Sequence, residues 1–245
     1  MLNYTDMHIH ALYGVDDGVK TEEMMLAMVD AEYQDGVRFL CLTPHYHPGY
    51  FGDNRDAVLR AYEQLCRTAE VRWPELKLGL GNELRYDRGC LSWLRDGLCH
   101  TMNGTNYVLV DFIEDEENGR IHQAMDRLLN AGYTPILAHA ERYGKLREQD
   151  IHEFRENGVL IQVDTQSLFR GFGFFIQRRC KALLKARLVD FAGSDAHDLS
   201  RRPPGSAGFN KAVEALCGKE YSTAVCFENA RHALFYNTTT GTDWR

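Results

Sequence analysis

Seven short apolar runs, near residues 3–10, 38–43, 76–84, 106–113, 134–139, 159–165 and 188–193, alternate with stretches of helical period near 21–35, 54–72, 88–98, 119–131, 148–157, 174–187 and 206–217. This is the pattern of repeated βα units, whose strands run parallel because each helix carries the chain back across the sheet before the next strand begins. Gly36, Gly132 and Gly158 stand where helices should stop, each just before an apolar run. Thr21 before Glu22-Glu23, and Asp53-Asn54, mark helix starts.

The ends of the runs carry the chemistry. In an extended strand alternate side chains share a face, so Asp6, His8 and His10 aim at one place, and Asp195 and His197 repeat the spacing near the other end of the chain. Between them Thr43-Pro44-His45, Gly81-Asn82-Glu83, Val110-Asp111 and His139-Ala140-Glu141-Arg142 each follow an apolar run. Ligand-type residues at the C-terminal end of nearly every strand imply that the sheet closes and the ends converge, whereas an open doubly wound sheet would gather its site at one switch point. The expectation is an α/β barrel of seven strands, TIM-like, with its active site at the C-terminal ends of the strands. Residues 1–245 read as one domain, with 237–245 a mobile tail.

Composition removes several alternatives. With 28 Lys and Arg against 35 Asp and Glu, the net charge of −7 argues against a general nucleic-acid binder. No apolar run approaches the roughly 20 residues of a membrane span, and Met1–Asp6 lacks the basic and apolar regions of a secretory signal. The cysteines number seven and form no C-x-x-C pair, which suits a reduced compartment and a cytoplasmic location. Cys66 and Arg72 satisfy the C-x5-R spacing of thiol-based tyrosine phosphatases, but the residues between them contain no glycine and continue a helical pattern, so thiol chemistry is not expected. The basic group Arg178-Arg179-Cys180-Lys181 reads as a solvated helix face.

His8-Ile9-His10, Gly14-Val15-Asp16-Asp17-Gly18, Thr43-Pro44-His45, Gly81-Asn82-Glu83, His139-Ala140-Glu141-Arg142-Tyr143, the segment from Gln162 to Phe172, and Ser194-Asp195-Ala196-His197 together resemble the polymerase and histidinol phosphatase (PHP) superfamily. Within it they are most similar to the bacterial capsule-type, metal-dependent protein-tyrosine phosphatases, and the likeness runs in order from about Met7 to Pro204. The resemblance implies a distorted (β/α)7 barrel holding up to three metal ions. It assigns His8, His10, Glu83 and Asp195 to one ion, Glu83, Asp111 and His139 to a second, and His45, Asp111 and His197 to a third. Imidazole and carboxylate ligands together suit Mn²⁺, Fe or Zn²⁺, with Mn²⁺ the leading expectation. Asp111 departs from the family, which usually places Glu there; Glu114 is the second choice.

Clustered metals activate water as a nucleophile and neutralise phosphoryl oxygens. Arg142 and Arg202 are expected to clamp those oxygens, and Asp17 to protonate the leaving oxygen. The resemblance further implies a tyrosine-phosphorylated protein as partner, the tail of a bacterial kinase that controls exopolysaccharide synthesis. A histidinol-phosphate-type phosphatase of small molecules and a non-catalytic, metal-pinned binding module are the alternatives. Asp16 reads as an Asx turn before Gly18 and Asp6 as a support for a ligand, while His47, His100, His122, His152 and His232 are expected to stay off the metals, and Arg201 is ranked below Arg202. Tyr46, Tyr50, Phe51, Phe169, Phe172, Phe174 and Phe175 form either an aromatic wall beside the site or packing against the barrel.

Overall fold

The computed structural model describes residues 3–169 and 172–236. The alternation is realised as parallel strands wrapped by helices. The strands are β1 (Tyr4–Ile9), β2 (Val37–Leu42), β3 (His45–Tyr46), β4 (Lys77–Leu80), β5 (Glu83–Arg85), β6 (Tyr107–Asp111), β7 (Thr134–Leu137), β8 (Leu160–Asp164) and β9 (Phe191–Gly193). The main helices are α1 (Glu22–Asp35), α2 (Pro48–Phe51), α3 (Arg55–Arg72), α4 (Cys90–Arg95), α5 (Asn118–Asn130), α6 (Glu148–Glu156), α7 (Phe174–Lys185) and α8 (Ser206–Cys217).

The expected second strand ends on time and resumes as a short further strand, while the expected third is interrupted within its span. The order β1-β2-β4 forms a three-stranded sheet, and β3-β5-β6-β7-β8-β9 a six-stranded one. β3 and β5 continue β2 and β4 after breaks at Thr43-Pro44 and Gly81-Asn82, and the hydrogen bonds from Gly81 N to Leu42 O (2.8 Å) and Glu83 N to Pro44 O (3.3 Å) carry the pairing across them. The ring then closes between β9 and β1. Ile9 bridges Ala196 in parallel, Asp195 N donates to His8 O at 2.8 Å, and His10 N donates to Ala196 O at 3.0 Å. The result is the expected barrel, distorted by two offset sheets.

Met7, Cys41, Leu109, Ile136, Leu160 and Phe191, one from each of six strands, form an interior core. The C-terminal segment, which carried no element in the sequence reading, floors that core. Its helical path runs through α9 (Lys219–Thr223), a π turn at Ala224–Glu228, α10 (Asn229–Arg231) and a second π turn at His232–Tyr236. Ala230, Ala233 and Leu234 project into the interior core. A larger core fills the space between barrel and helices, with Leu42, Val110, Leu137, Ile161 and Phe209 among its buried members. The tail at 237–245 lies outside the described residues.

Helix ends follow local chemistry. The Thr21 side chain caps α1 by accepting from Met24 N, and Gly36 ends it at φ 102°, a left-handed conformation in which a side chain would be strained. Asn54 does not cap α3 with its side chain. Its Nδ2 donates instead to Val15 O (2.9 Å) and His45 O (3.0 Å), tying the loop after β1 to β3. The last strand starts at Phe191 rather than 188, because Arg187 has a positive φ of 57° and Leu188 N still bonds back to Leu183 O at 3.0 Å.

Candidate metal centre

The strand ends converge on Glu83. His45 at the start of β3 stands in register with Glu83 at the start of β5, and the His45 Nδ1 lies 3.0 Å from Glu83 Oε2. The same oxygen is 3.2 Å from His8 Nε2 and 3.2 Å from His10 Nε2. The other Glu83 oxygen meets His139 Nε2 at 2.8 Å. Asp195 Oδ1 lies 3.4 Å from His8 Nε2 and 3.3 Å from His10 Nε2. Each of these side chains is nearly fully buried.

Three groups of ligand-type atoms result, each with its atoms within 4.8 Å of one another: His8, His10, Glu83 and Asp195; His45, Glu83 and Asp111; and His10, Asp17, His45 and His197. The first is the set expected of one ion. The other two differ from the expected sharing: His139 touches Glu83 without being a member of the group that holds Asp111, and Asp17, not Asp111, joins His45 and His197. Asp17 Oδ1 lies 3.4 Å from His197 Nε2 and 3.6 Å from His45 Nε2. Hydrogen bonding to His197 holds the Asp17 carboxyl well below the usual range, so it stands as an anion beside two imidazoles.

These residues fit metal ions on a physical test. Glu83 Oε2, Asp111 Oδ1, His45 Nδ1 and His197 Nε2 are buried and make no hydrogen bond, although His45 and Glu83 are only 3.0 Å apart. Buried polar atoms without partners are rare and costly, and cations held within these groups would satisfy them. Electrostatics agree. Burial opposes ionisation of Glu83 and Asp195, yet the facing histidines, with arginines beside Asp195, hold both carboxyls well below their ordinary values. Burial likewise pulls His8 down, but Glu83 and Asp195 outweigh it and push its imidazole up to about 9. A concentration of buried anions and rings of this kind is what divalent cations neutralise.

A surrounding set of contacts fixes the rings. His10 Nδ1 meets Asp16 Oδ2 at 2.7 Å, and the same oxygen accepts from His45 N at 2.9 Å. Asp16 also makes the expected Asx turn, its Oδ1 accepting from Gly18 N at 2.9 Å. Gln162 Oε1 accepts from His139 N at 2.7 Å and lies 3.3 Å from His8 Nδ1. The Tyr143 hydroxyl lies 3.2 Å from His139 Nδ1. Ring partners of this kind set which nitrogen faces a metal. Gly193 permits the closest approach: a Cβ there would lie 2.5 Å from the Cβ of His8.

Asp6 supports the centre from behind. The register of β1 slips between Asp6 and Ile9, so strict alternation fails. Asp6 Oδ1 accepts from His8 N (3.0 Å) and Ser194 N (2.9 Å), pinning the β1–β9 joint.

Arg142 and Arg202 both reach Asp195. Arg142 lies 2.7 Å from Asp195 Oδ2 and 2.5 Å from Asp164 Oδ2, and Arg202 pairs with the same Asp195 oxygen. They share a cavity of about 280 Å³ with Asp17, His45, Glu83 and Asp111. Glu114 is exposed at its mouth and belongs to none of the three groups, so the register favours Asp111. Arg85, which the sequence reading passed over, also lines this cavity and pairs with Asp111. Its signal was present: Glu83-x-Arg85 has the same alternate spacing as His8-x-His10.

The remaining residues separate cleanly. His47 accepts from Gly49 N at 3.0 Å and packs on Tyr50 and Trp93. His100, His122, His152 and His232 lie in none of the three groups. Arg201 is exposed and only its backbone bonds to Asp198. Among the aromatics, Tyr46 is buried against Trp93, so it is packing. Phe51 stacks on His45 with centroids 4.9 Å apart, and the Arg142 guanidinium lies 4.4 Å from the Phe172 ring centre, so these two border the site. Phe174 and Phe175 are exposed, and Gly171 falls outside the described residues. Arg179 corrects the solvated-face reading: it turns inward, donating to Glu141 O (3.0 Å) and Leu146 O (2.8 Å).

Cys66 lies elsewhere, in a separate cavity of about 470 Å³ shared with Phe39, Trp73 and Leu78. Burial raises its thiol pKa, and Arg72 is paired with Asp30. This larger cavity contains none of the convergent histidines, and the chemistry belongs to the smaller one.

Comparison with known proteins follows the same line. A profile of the family described as capsular polysaccharide synthesis, CpsB/CapC, matches residues 4–235. The tyrosine-protein phosphatase CpsB of Streptococcus agalactiae serotype III (strain NEM316) is 32% identical over 236 residues, covering 94% of this chain and 97% of that protein. The tyrosine-protein phosphatase YwqE of Bacillus subtilis (strain 168) is 29% identical over 199 residues, covering 80% of this chain and 78% of that protein. A crystal structure from work on YwqE of Bacillus subtilis and CpsB of Streptococcus pneumoniae, described as unique metal-dependent tyrosine phosphatases, matches with a TM-score of 0.86 at 28% identity, covering 98% of this chain and 96% of that one. With a barrel, a convergent ligand set and matches spanning almost its whole described length, the chain belongs to the CpsB/CapC family of capsular polysaccharide synthesis, within the PHP superfamily that its motifs resemble.

Proposed function

We propose that this chain is a metal-dependent protein-tyrosine phosphatase acting on a tyrosine-phosphorylated protein in the cytoplasm, namely a bacterial kinase tail that regulates capsule or exopolysaccharide synthesis. The observation that carries the reading is the meeting of two ligand groups on Glu83, with a third joined to them through His10 and His45, beside two arginines at the same cavity. The names of the relatives, tyrosine-protein phosphatases, support the substrate class.

His8, His10, Glu83 and Asp195 would hold one ion, His45, Glu83 and Asp111 a second with His139 beside Glu83, and Asp17, His45 and His197 a third. The mixed nitrogen and oxygen donors suit Mn²⁺, Fe or Zn²⁺. Bound there, such ions activate water and neutralise phosphoryl charge. The chain's own contribution is orientation. Arg142 and Arg202 present guanidinium groups at the cavity and bind the phosphoryl oxygens, where charge grows in the transition state. Asp17, exposed at the mouth and ionised beside His197, steadies that imidazole; as proton donor to the leaving oxygen it would first have to gain a proton. A tyrosine leaving group, of pKa about 10, needs that help less than an alkanol does.

The apolar surface beside the cavity favours a protein substrate over a small molecule. Ile113 at its lining and Leu199 between His197 and Arg202 are each about half exposed, apolar surface that a peptide segment would cover. The deciding experiment supplies the metal-loaded chain with a phosphotyrosyl peptide and with histidinol phosphate. Faster turnover of the peptide supports this reading, and the reverse preference replaces it with the small-molecule one.

A further inference from the structure

Arg85 and Asp111 face each other across two parallel strands, in register between β5 and β6. Two nitrogens of one guanidinium, Nε and a terminal one, both lie 2.7 Å from the same oxygen, Asp111 Oδ2. The second oxygen, Oδ1, is buried and without a hydrogen bond, within the group it forms with His45 and Glu83. Asp111 is thus gripped by one oxygen and presents the other.

This arrangement matters because the carboxylate has little else to fix it. Among the described residues Arg85 is its only side-chain hydrogen-bond partner. A short aspartate side chain with one oxygen free to swing would reach a cation poorly. One held from behind reaches in a fixed direction.

We propose that Arg85 is a positioning residue of the metal centre: by clamping Asp111 Oδ2 it aims Asp111 Oδ1 at the point shared by His45 and Glu83, and so sets the affinity of the ion bound there. The inference rests on the metal reading of this site and not on the identity of the substrate. Two effects of Arg85 oppose each other. Its charge repels a cation, while its hydrogen bonds orient a ligand for one. Contacts that orient metal ligands are typically worth 10–100-fold in metal affinity, and the register of the pair favours orientation as the larger effect. A competing role exists, because Arg85 is about 30% exposed and lines the cavity with Arg142 and Arg202, where it would act as a third clamp on phosphate.

The test uses the full chain, stripped by chelator and titrated with Mn²⁺ in the absence of substrate, with affinity read by calorimetry and bound ions counted by mass spectrometry. Arg85→Ala should weaken the ion held by Asp111 by about 10–100-fold, and Arg85→Lys, which keeps charge and one donor, should recover part of the loss. In an Asp111→Ala background the Arg85→Ala change should add nothing. Should Arg85→Ala fail to fold, Arg85→Gln and Arg85→Lys carry the same comparison. Unchanged or tighter Mn²⁺ binding in these variants overturns the proposal, and a raised KM for a phosphotyrosyl peptide at full metal loading assigns Arg85 to the phosphate instead. Failure of the wild-type chain to hydrolyse that peptide would count against the phosphatase reading alone, since the metal titration does not involve it.

Discussion

Arg142 approaches Asp195 to 2.7 Å, so a guanidinium that lines the cavity is braced on a carboxylate of the ligand cluster. Arg202 reaches the same oxygen. The two guanidinium groups are therefore held in place by fixed carboxylates, so on the proposed reading little reorganisation would be needed when charge develops on a phosphoryl group.

Arg142→Ala and Arg202→Ala should each lower kcat by about 10²-fold or more, the usual cost of losing a preorganised donor to a developing charge. Steady-state kinetics alongside metal analysis checks this. An unchanged kcat in both variants would favour a non-catalytic, metal-pinned module.

Chelation should abolish hydrolysis and Mn²⁺ or a related ion should restore it, whereas Cys66→Ser, a small change at a half-buried residue remote from the ligand cluster, should leave the rate within about twofold. Cys66 lines a different cavity from the ligand cluster, and burial disfavours its thiolate. Loss of activity in Cys66→Ser at full metal content would sink the metal mechanism.

The metal-free protein should become less stable as pH rises. His8, raised to about 9, and Asp111, raised to about 7, both bind protons more tightly in the folded chain than in the unfolded one. Asp111 contributes stability below about pH 4 that is lost through 7, and His8 contributes stability below about 6.5 that is lost through 9. Metal binding must displace these protons, so affinity should rise over the same window. Urea midpoints measured with chelator at pH 6 and pH 9, and again with Mn²⁺, give the comparison. A metal-free midpoint that climbs with pH contradicts the assignment.

Gly193→Ala should cost about 1–3 kcal/mol, in the range of overpacked core changes. The added Cβ would fall 2.5 Å from that of His8, and β9 cannot retreat without parting the barrel seam. Thermal denaturation and metal counting should both register the change. Wild-type Tm with full metal loading would mean the seam is looser than these contacts imply.

Much of this was legible in the chain because period and composition are local properties. The βα alternation and all eight ligand-type residues follow from apolar runs ending in His, Asp or Glu, and the structure brings those eight together with Asp17. What the sequence hid were properties that depend on a neighbour from elsewhere. The pairing that resumes after Thr43-Pro44 and after Gly81-Asn82 depends on partner strands from elsewhere in the chain, and only the sheet offset reveals it. Asp16 reads as a turn residue until His10 is seen 2.7 Å away. Arg179 reads as a surface charge until its bonds to the Glu141 and Leu146 carbonyls appear. The helical path from Lys219 carries two π turns, which displace the regular apolar period and leave no clean signal.

The seam between β9 and β1 also constrains how the protein is made. Ser194 meets His8 at a separation of 186 positions along the chain, so no early fragment emerging from a ribosome contains the first ligand group. His8 and His10 are synthesised first and wait for Asp195. Non-local closure of this length is slow and costly in chain entropy, and a cation that grips both margins of the seam favours the closed barrel by mass action. Metal supply during synthesis would then govern how much of the protein reaches its native state, before any question of turnover arises.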